Sequence, residues 1–262
     1  MKLFRGLLIK EWRYGRIFFL VSSAGVVLAA LSALVEVSAG PGSRLGLWGF
    51  RSGFTLLKWA AFAGAVSAVL SFVGLTLFLR SFRRVAMVPA IGVLLGLVVF
   101  FVPFMWWYKA KTVPPIHDIT TDMDDPPAFV TLLPQRESSP NGAEYGGAEV
   151  AAAQALAYPE IRPRTMDLEM PEAFEKALKA AEKMGWRVVD SDPGTGRIEA
   201  TDTTFWFGFK DDIVIRIAPI TPLTPQDRGT RVDVRSVSRV GRSDVGTNAK
   251  RIKGYMEVLG RM

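Results

Sequence analysis

The chain has 262 residues, enough for one large domain or two small ones, and 49% of them are hydrophobic, a share that places part of the chain in lipid. It contains no cysteine and a single histidine, His117, which excludes a disulfide framework, a thiolate metal centre and a multi-histidine metal site. The net charge of +7 divides unevenly: residues 1–108 hold 11 Lys and Arg against 2 acidic residues, whereas residues 109–262 hold 21 against 23. The basic excess therefore flanks apolar runs, where it marks membrane topology rather than a nucleic-acid footprint.

In chain order, a basic lead carrying Lys2, Arg5, Lys10, Arg13 and Arg16 precedes three uncharged stretches, Ile17–Val35 (19 residues), Trp59–Leu79 (21) and Val85–Tyr108 (24). A bilayer core takes about 20 apolar residues of helix, so three transmembrane helices are predicted over residues 1–108. Val37-Ser38-Ala39 resembles a signal-peptidase site, but the apolar run before it exceeds the usual signal core of about 7–15 residues and two further spans follow, which favours an uncleaved anchor. Arg80, Arg83 and Arg84 in the second turn match the basic lead in sign. Both should be cytoplasmic, which places the C-terminal domain outside the cytoplasm. Gly92 and Gly96, and Ala60, Gly64 and Ala68, recur at four-residue spacing, which suits close packing of the three spans on one another. With no Asp, Glu, Lys, Arg or His inside these stretches, the signature of an ion or proton pathway is missing.

Residues 109–165 are rich in proline, including Pro114-Pro115, Pro126-Pro127, Pro134, Pro140, Pro159 and Pro163, and proline disfavours both helix interiors and central strands. An extended linker or a strap is predicted, with Ile116, Ile119 and Phe129 as anchors in the strap case and Ser138–Gly147 as a mobile loop. Asp118, Asp122, Asp124 and Asp125 invite a calcium reading. The required glycine and terminal carboxylate of a calcium loop are missing, so these residues read as turn caps, as does His117.

From residue 166 an α+β domain is predicted. Phe174, Ala177, Leu178 and Ala181 recur at helical spacing after Pro171 and before Gly185, an amphipathic helix with a glycine stop. Trp186–Asp190 and Arg197–Thr201 then form a hairpin about Asp192-Pro-Gly-Thr-Gly196, whose Gly-x-Gly lacks the third glycine of a dinucleotide loop. Ile213, Ile215 and Ile217 share one face of the next strand and Asp212, Val214 and Arg216 the other. In Thr230–Val240, Val232 and Val234 oppose Arg231, Asp233, Arg235 and Arg239. A final helix from about Thr247 presents Ile252, Tyr255, Met256 and Leu259. The fold class is therefore α+β: three N-terminal transmembrane helices, then an antiparallel sheet of about four strands with two helices on one face and a polar opposite face.

The segments PPIHDITTDMDDPPAF, TFWFGFKDDIVIRI and RVDVRSVSRVGRSDVGTNAKRI together resemble the bacterial domain of unknown function 1499 (DUF1499) over roughly Val113–Arg261. The resemblance implies an envelope domain that occurs alone or behind membrane segments, with related members in photosynthetic lineages. It implies no activity, cofactor or catalytic residue.

Chemistry is thinly signalled. Ser236, Ser238 or Ser243 would need a base, yet His117 is the one histidine and no Gly-x-Ser-x-Gly elbow is present, which argues against a serine hydrolase. Asp211 and Asp212 could act as acid and base, but neighbours on a strand point to opposite faces. A better-formed pattern is an anion site: Arg235, Arg239 and Arg242 lead into Ser243, Asp244 and Asn248 at a predicted helix start, whose unpaired amides attract negative charge. The competing reading pairs these arginines with Asp233 or Asp244 and uses Thr247 or Asn248 as a cap. The expected function is a noncatalytic envelope module, anchored in the lipid bilayer, that binds an envelope protein or an anionic ligand through its polar sheet face, without cofactor, metal or nucleic acid. The alternative is an envelope hydrolase using Asp211 or Asp212 with the Ser238–Asp244 segment.

Overall fold

The computed structural model describes residues 2–81, 86–220 and 229–262; of these, side chains are described from Ile17 to Thr76 and from Ala86 onward. The side chains of the basic lead and of the Arg80, Arg83 and Arg84 turn lie outside the described residues. Two compact units, Met1–Tyr108 and Lys109–Met262, divide the chain.

The first unit consists of α1 (Lys2–Arg44), α2 (Phe50–Ser81) and α3 (Met87–Thr112), and Ile17–Arg44, Phe50–Thr76 and Met87–Thr112 are each long and apolar enough to cross a bilayer. The first helix outruns the uncharged stretch predicted for it. It continues through Glu36, which is buried, so one carboxyl does enter the first span. It ends just before Gly46, which adopts a left-handed backbone at φ 74°, a conformation that glycine supplies without steric cost at a helix terminus. The small residues pack as their spacing predicts. A Cβ on Gly96 of α3 would sit 2.7 Å from the Gly64 carbonyl oxygen and 2.8 Å from the Ala68 nitrogen of α2, closer than any side chain could be accommodated. Ser67 ties α2 to α1 by donating to the Gly25 carbonyl at 2.7 Å, which satisfies a hydroxyl that lipid could not.

The second unit is an antiparallel sheet with helices. Its strands are β1 (Asp118–Thr120), β2 (Arg164–Met166), β3 (Arg187–Asp192), β4 (Arg197–Thr203), β5 (Lys210–Pro219) and β6 (Thr230–Ser238), in the order β1-β6-β5-β4-β3 with β2 also pairing β6. Six strands replace the four predicted. The two additional ones are three-residue pieces, β1 within the Pro-rich segment and β2 across its end, too short to show an alternation in the sequence. Helices α6 (Met170–Lys183) and α7 (Thr247–Leu259) cover one face, where Ile198, Ile213, Ile215, Val232 and Val234 meet Phe174, Ala177, Ile252 and Leu259 in one core. Trp186 stacks on Tyr255 with ring centroids 5.1 Å apart, and the Tyr255 hydroxyl donates to the Ala177 carbonyl at 3.0 Å, so this fully buried phenol has its polar atom satisfied.

The Pro-rich segment is a strap. After β1 it crosses the other sheet face, where Phe129 and Leu132 pack on Val214 and Val237. It contains two helices that the proline density had concealed, α4 (Leu133–Glu137) and α5 (Gly147–Ala157). No proline falls between Pro140 and Pro159, and the intervening AEVAAAQALA is dominated by the strongest helix former. The predicted mobile loop is instead tied down: Asn141 donates its backbone N–H to the Arg239 carbonyl at 3.1 Å and its Nδ2 to the carbonyls of Ser238 and Gly241. Gln154 of α5 is fully buried and bonds both backbone groups of Thr120, accepting its N–H at 3.0 Å and donating to its carbonyl at 2.6 Å. In this way one side chain completes the edge strand as another strand would.

Candidate functional site: a buried polar interior between sheet and strap

Strand alternation sends Glu199, Thr201, Asp212, Arg216, Asp233 and Arg235 to the face beneath the strap, in cross-strand register: Thr201 opposes Asp212, and Arg216 opposes Asp233. Asp212 is fully buried and receives four donors, Arg239 Nε and Nη2 at 2.8 Å each, Thr201 Oγ1 at 2.8 Å and Arg136 Nη1 at 3.4 Å. Arg136, also fully buried, comes from α4 and donates to the carbonyls of Val237, Asn141 and Gly142. Burial pulls its guanidinium below the ordinary arginine value, with Asp212 opposing the shift.

Arg235 forms a two-pronged pair with Asp118 of β1 at 3.0 and 2.7 Å, both side chains being 5% exposed or less. Its guanidinium lies between the rings of Phe129 and Tyr145, 5.6 Å from each centroid, and reaches the Ala143 carbonyl at 2.8 Å. Burial, reinforced by Asp118, pushes the Tyr145 phenol up to about 12. Further along, Asp122 accepts from Arg216 and Arg231 at 2.9 and 2.7 Å, and Asp233 accepts from the same two arginines. The first Asp122 oxygen also takes the N–H groups of Asp124 and Asp125, the turn-capping role expected of it. No group of three or more potential metal ligands occurs among the described residues.

Glu199 completes the face. Its carboxylate, fully buried, accepts the backbone N–H groups of Val130, Thr131 and Leu132 at 2.7, 3.1 and 2.8 Å, a ring of amides of the kind that binds free anions. Arg197 Nε lies 3.1 Å from the same carboxylate but is not aligned to donate to it, so the amides hold this oxygen and Arg197 contributes charge. The anion in this nest is the protein's own side chain.

The sequence profile described as "Protein of unknown function (DUF1499)" matches residues 118–259, from the first residue of β1 to the last of α7. The chain belongs to the DUF1499 family. No curated protein matches it. The matched stretch contains the strap together with the sheet, so the DUF1499 domain includes Asp118, Arg136 and Glu199 as well as the strands they bond.

The candidate anion residues of this DUF1499 domain do not converge on one site. Arg235 and Arg239 lie under the strap, paired with Asp118 and Asp212 rather than with the Asp233 or Asp244 considered from sequence. Arg242 is exposed. Ser243 closes a turn by accepting the Val245 N–H. Asp244 caps α7, accepting the N–H groups of Gly246 and Asn248 at 2.8 Å each, so the helix start already holds a carboxyl group. Burial nevertheless pushes the Asp244 carboxyl up from its ordinary value. Asn248 is buried on the helix face of the sheet, where it accepts from Ser236 Oγ at 2.7 Å and donates to Ser238 Oγ at 3.0 Å.

The hydrolase candidates are engaged in the same manner. Asp211 points to the helix face, opposite in sense to Asp212, and accepts from Arg251 of α7 at 2.6 Å; Arg251 also donates to Asp202 at 2.9 Å and to Ser236 at 3.2 Å. Ser236 and Ser238 thus face an amide and a guanidinium, neither of which can take a proton from a hydroxyl. Sequence reasoning passed over Arg136, Gln154, Glu199 and Arg251. A signal existed for Glu199 and Arg251, each a charged residue at a position whose neighbours on the same face are apolar or paired. None existed for Arg136 and Gln154, which stand in segments without strand or amphipathic period.

Proposed function

We propose that this DUF1499 chain is a multi-pass protein of the bacterial inner membrane whose periplasmic α+β domain has a noncatalytic binding role in the envelope. The observation that carries this reading is the commitment of the polar interior: Asp118, Asp211, Asp212, Asp233 and Glu199 are buried and each is bonded to arginine or to backbone N–H groups. Carboxylates held in this way are committed to structure, fixing the strap and α7 on the two faces of the sheet through charge-assisted bonds. Binding through the polar face would require the strap to leave it, so contacts with an envelope protein or an anionic ligand fall to the outer surface. Of the six residues first considered for an anion, Arg242 is the exposed cation, with Arg235 and Arg239 holding the loop from beneath. Orientation is supported by the basic lead and by Arg80, Arg83 and Arg84. Alkaline phosphatase fused after Met262 should be active, and the same enzyme inserted among residues 80–84 should be inactive. The reverse pattern would place the domain in the cytoplasm and overturn the reading.

A further inference from the structure

The face of α1 that meets α2 is built almost entirely of small side chains. Its buried positions are Ser22, Gly25, Ala29, Ser32, Glu36 and Ala39, three and four residues apart, which is the seam spacing of two packed helices. On α2, Ala60, Gly64, Ser67, Ser71 and Gly74 are buried at the same intervals. Two close approaches fix the antiparallel register: a Cβ on Gly25 would lie 2.5 Å from Ser71 Oγ, and one on Gly74 would overlap Ser22 Oγ. Continued along the pair, that spacing sets Glu36 level with Ala60. Among the described residues Glu36 is thus the long, ionisable member of a seam of small ones, and at 7% exposure it is not turned out of it.

Nothing in the seam holds this carboxyl as an anion. Glu36 Oε2 is buried and has no hydrogen-bond partner among the described residues. The described cations of the three helices, Arg44 of α1, Arg51 and Lys58 of α2 and Lys109 and Lys111 of α3, are all exposed. Asp212 and Glu199, buried in the second unit, meet arginine or backbone amides instead. Ile17 to Glu36 covers about 28 Å of helix axis, and a bilayer core is about 30 Å thick, so a core that begins at Ile17 ends near Glu36, on the side of the α1–α2 turn. Trp48 of that turn closes over the seam, its Nε1 donating to the Ala39 carbonyl at 3.0 Å and its ring filling the space that a Cβ on Gly42 would occupy. A buried carboxylate without a counter-charge is costly, and taking up a proton removes the cost. A metal ion suits the seam poorly, since hard cations take about six or more oxygens and the seam supplies one carboxyl with the Ser32 hydroxyl a turn away.

We propose that Glu36 is a proton-binding site inside the first unit, its carboxyl resting between α1 and α2 as the neutral acid and exchanging its proton with water at the α1–α2 turn, past Trp48. Release of the proton leaves an anion in the seam, so occupancy of the site governs how closely α1 and α2 pack at this end. The proposal needs the three helices to span a bilayer and is independent of which side the second unit occupies and of what that unit binds. Infrared difference spectra, wild type minus Glu36→Gln, test it on the full-length protein in phosphatidylcholine vesicles at about pH 7, where an ordinary glutamate is ionised. Gln has the shape of the neutral acid and no proton to release, so the variant should keep the wild-type circular dichroism. The difference should contain a carboxylic-acid C=O stretch that moves to lower frequency when D2O replaces H2O. Carboxylate stretches in its place would show Glu36 ionised and overturn the proposal. An acid band that D2O leaves unmoved would show a sealed group and overturn it equally. Should Glu36→Gln fail to fold, dicyclohexylcarbodiimide decides the matter on the wild-type protein. A neutral acid adds across the reagent, its proton ending on one nitrogen and its acyl group, after an oxygen-to-nitrogen shift, on the other. Peptide mass spectrometry should find this N-acylurea on Glu36, and an unmodified Glu36 would refute the site.

Discussion

Ile198, Ile213, Ile215 and Val234 face α6 and α7, while Glu199, Asp212, Asp233 and Arg235, from the same strands, face the strap; all eight are 3% exposed or less. Equal burial is reached by different physics. The helix face is stabilised by apolar area removed from water, an effect with little directional demand, so related side chains of similar volume could serve. The strap face must offset the desolvation of each charge with a correctly placed partner. It therefore admits one arrangement of the strap, the one that brings Asp118, Arg136 and the amides of residues 130–132 into range. The apolar face supplies cohesion, and the polar face selects which conformation the covering segment takes.

The comparison is broken most severely by removing one member of a buried pair. In residues 109–262, whose cores are closed within that unit, Arg235→Gln should cost about 3–5 kcal/mol because Asp118 is left charged and buried, whereas Ile215→Val should cost about 0.5–1.5 kcal/mol. Urea unfolding followed by the fluorescence of Trp186 and Trp206 measures both. Similar costs for the two would mean that the strap is held by apolar contact.

A smaller effect separates arginines that adjoin in sequence. Arg239→Gln removes two charge-assisted bonds to Asp212 but leaves Thr201 and Arg136 on that carboxylate, so a loss of about 1.5–3 kcal/mol is expected. Arg242→Gln should stay within about 0.5 kcal/mol. Melting temperatures of the two variants decide this. If both were near wild type, Arg239 would return to the candidates for ligand contact.

The smallest effect is a pH dependence at the start of α7. Burial raises the native Asp244 carboxyl above its ordinary value of 3.8, so the native state binds this proton more tightly than the unfolded chain. Stability from this group is greatest below 3.8 and is lost as pH rises through the native value. Asp244→Asn cannot ionise and escapes that loss, so its melting temperature relative to wild type should climb across the window and then level off. A relative melting temperature that fell with rising pH would show that the capping bonds from Gly246 and Asn248 outweigh burial.

Much of this molecule is determined by local pattern. The three apolar runs, the Phe174–Ala181 stripe, the Asp192–Gly196 turn and the alternation in β5 and β6 each follow from the period of a helix or a strand, which depends on neighbours a few residues apart. Alternation likewise placed Asp211 and Asp212 on opposite faces and marked one face as polar. It left unspecified what covers that face, because the partners are remote in sequence: Asp118 bonds Arg235, Glu199 bonds residues 130–132, and Arg136 bonds Asp212. Taken as sequence, Arg235, Arg239 and Asp244 form a cluster that suggests an anion site. Only the tertiary structure decided that each already has its counter-charge or its capped amides, since a charge shows its need for a partner in the sequence but not which distant residue the fold will bring to meet it.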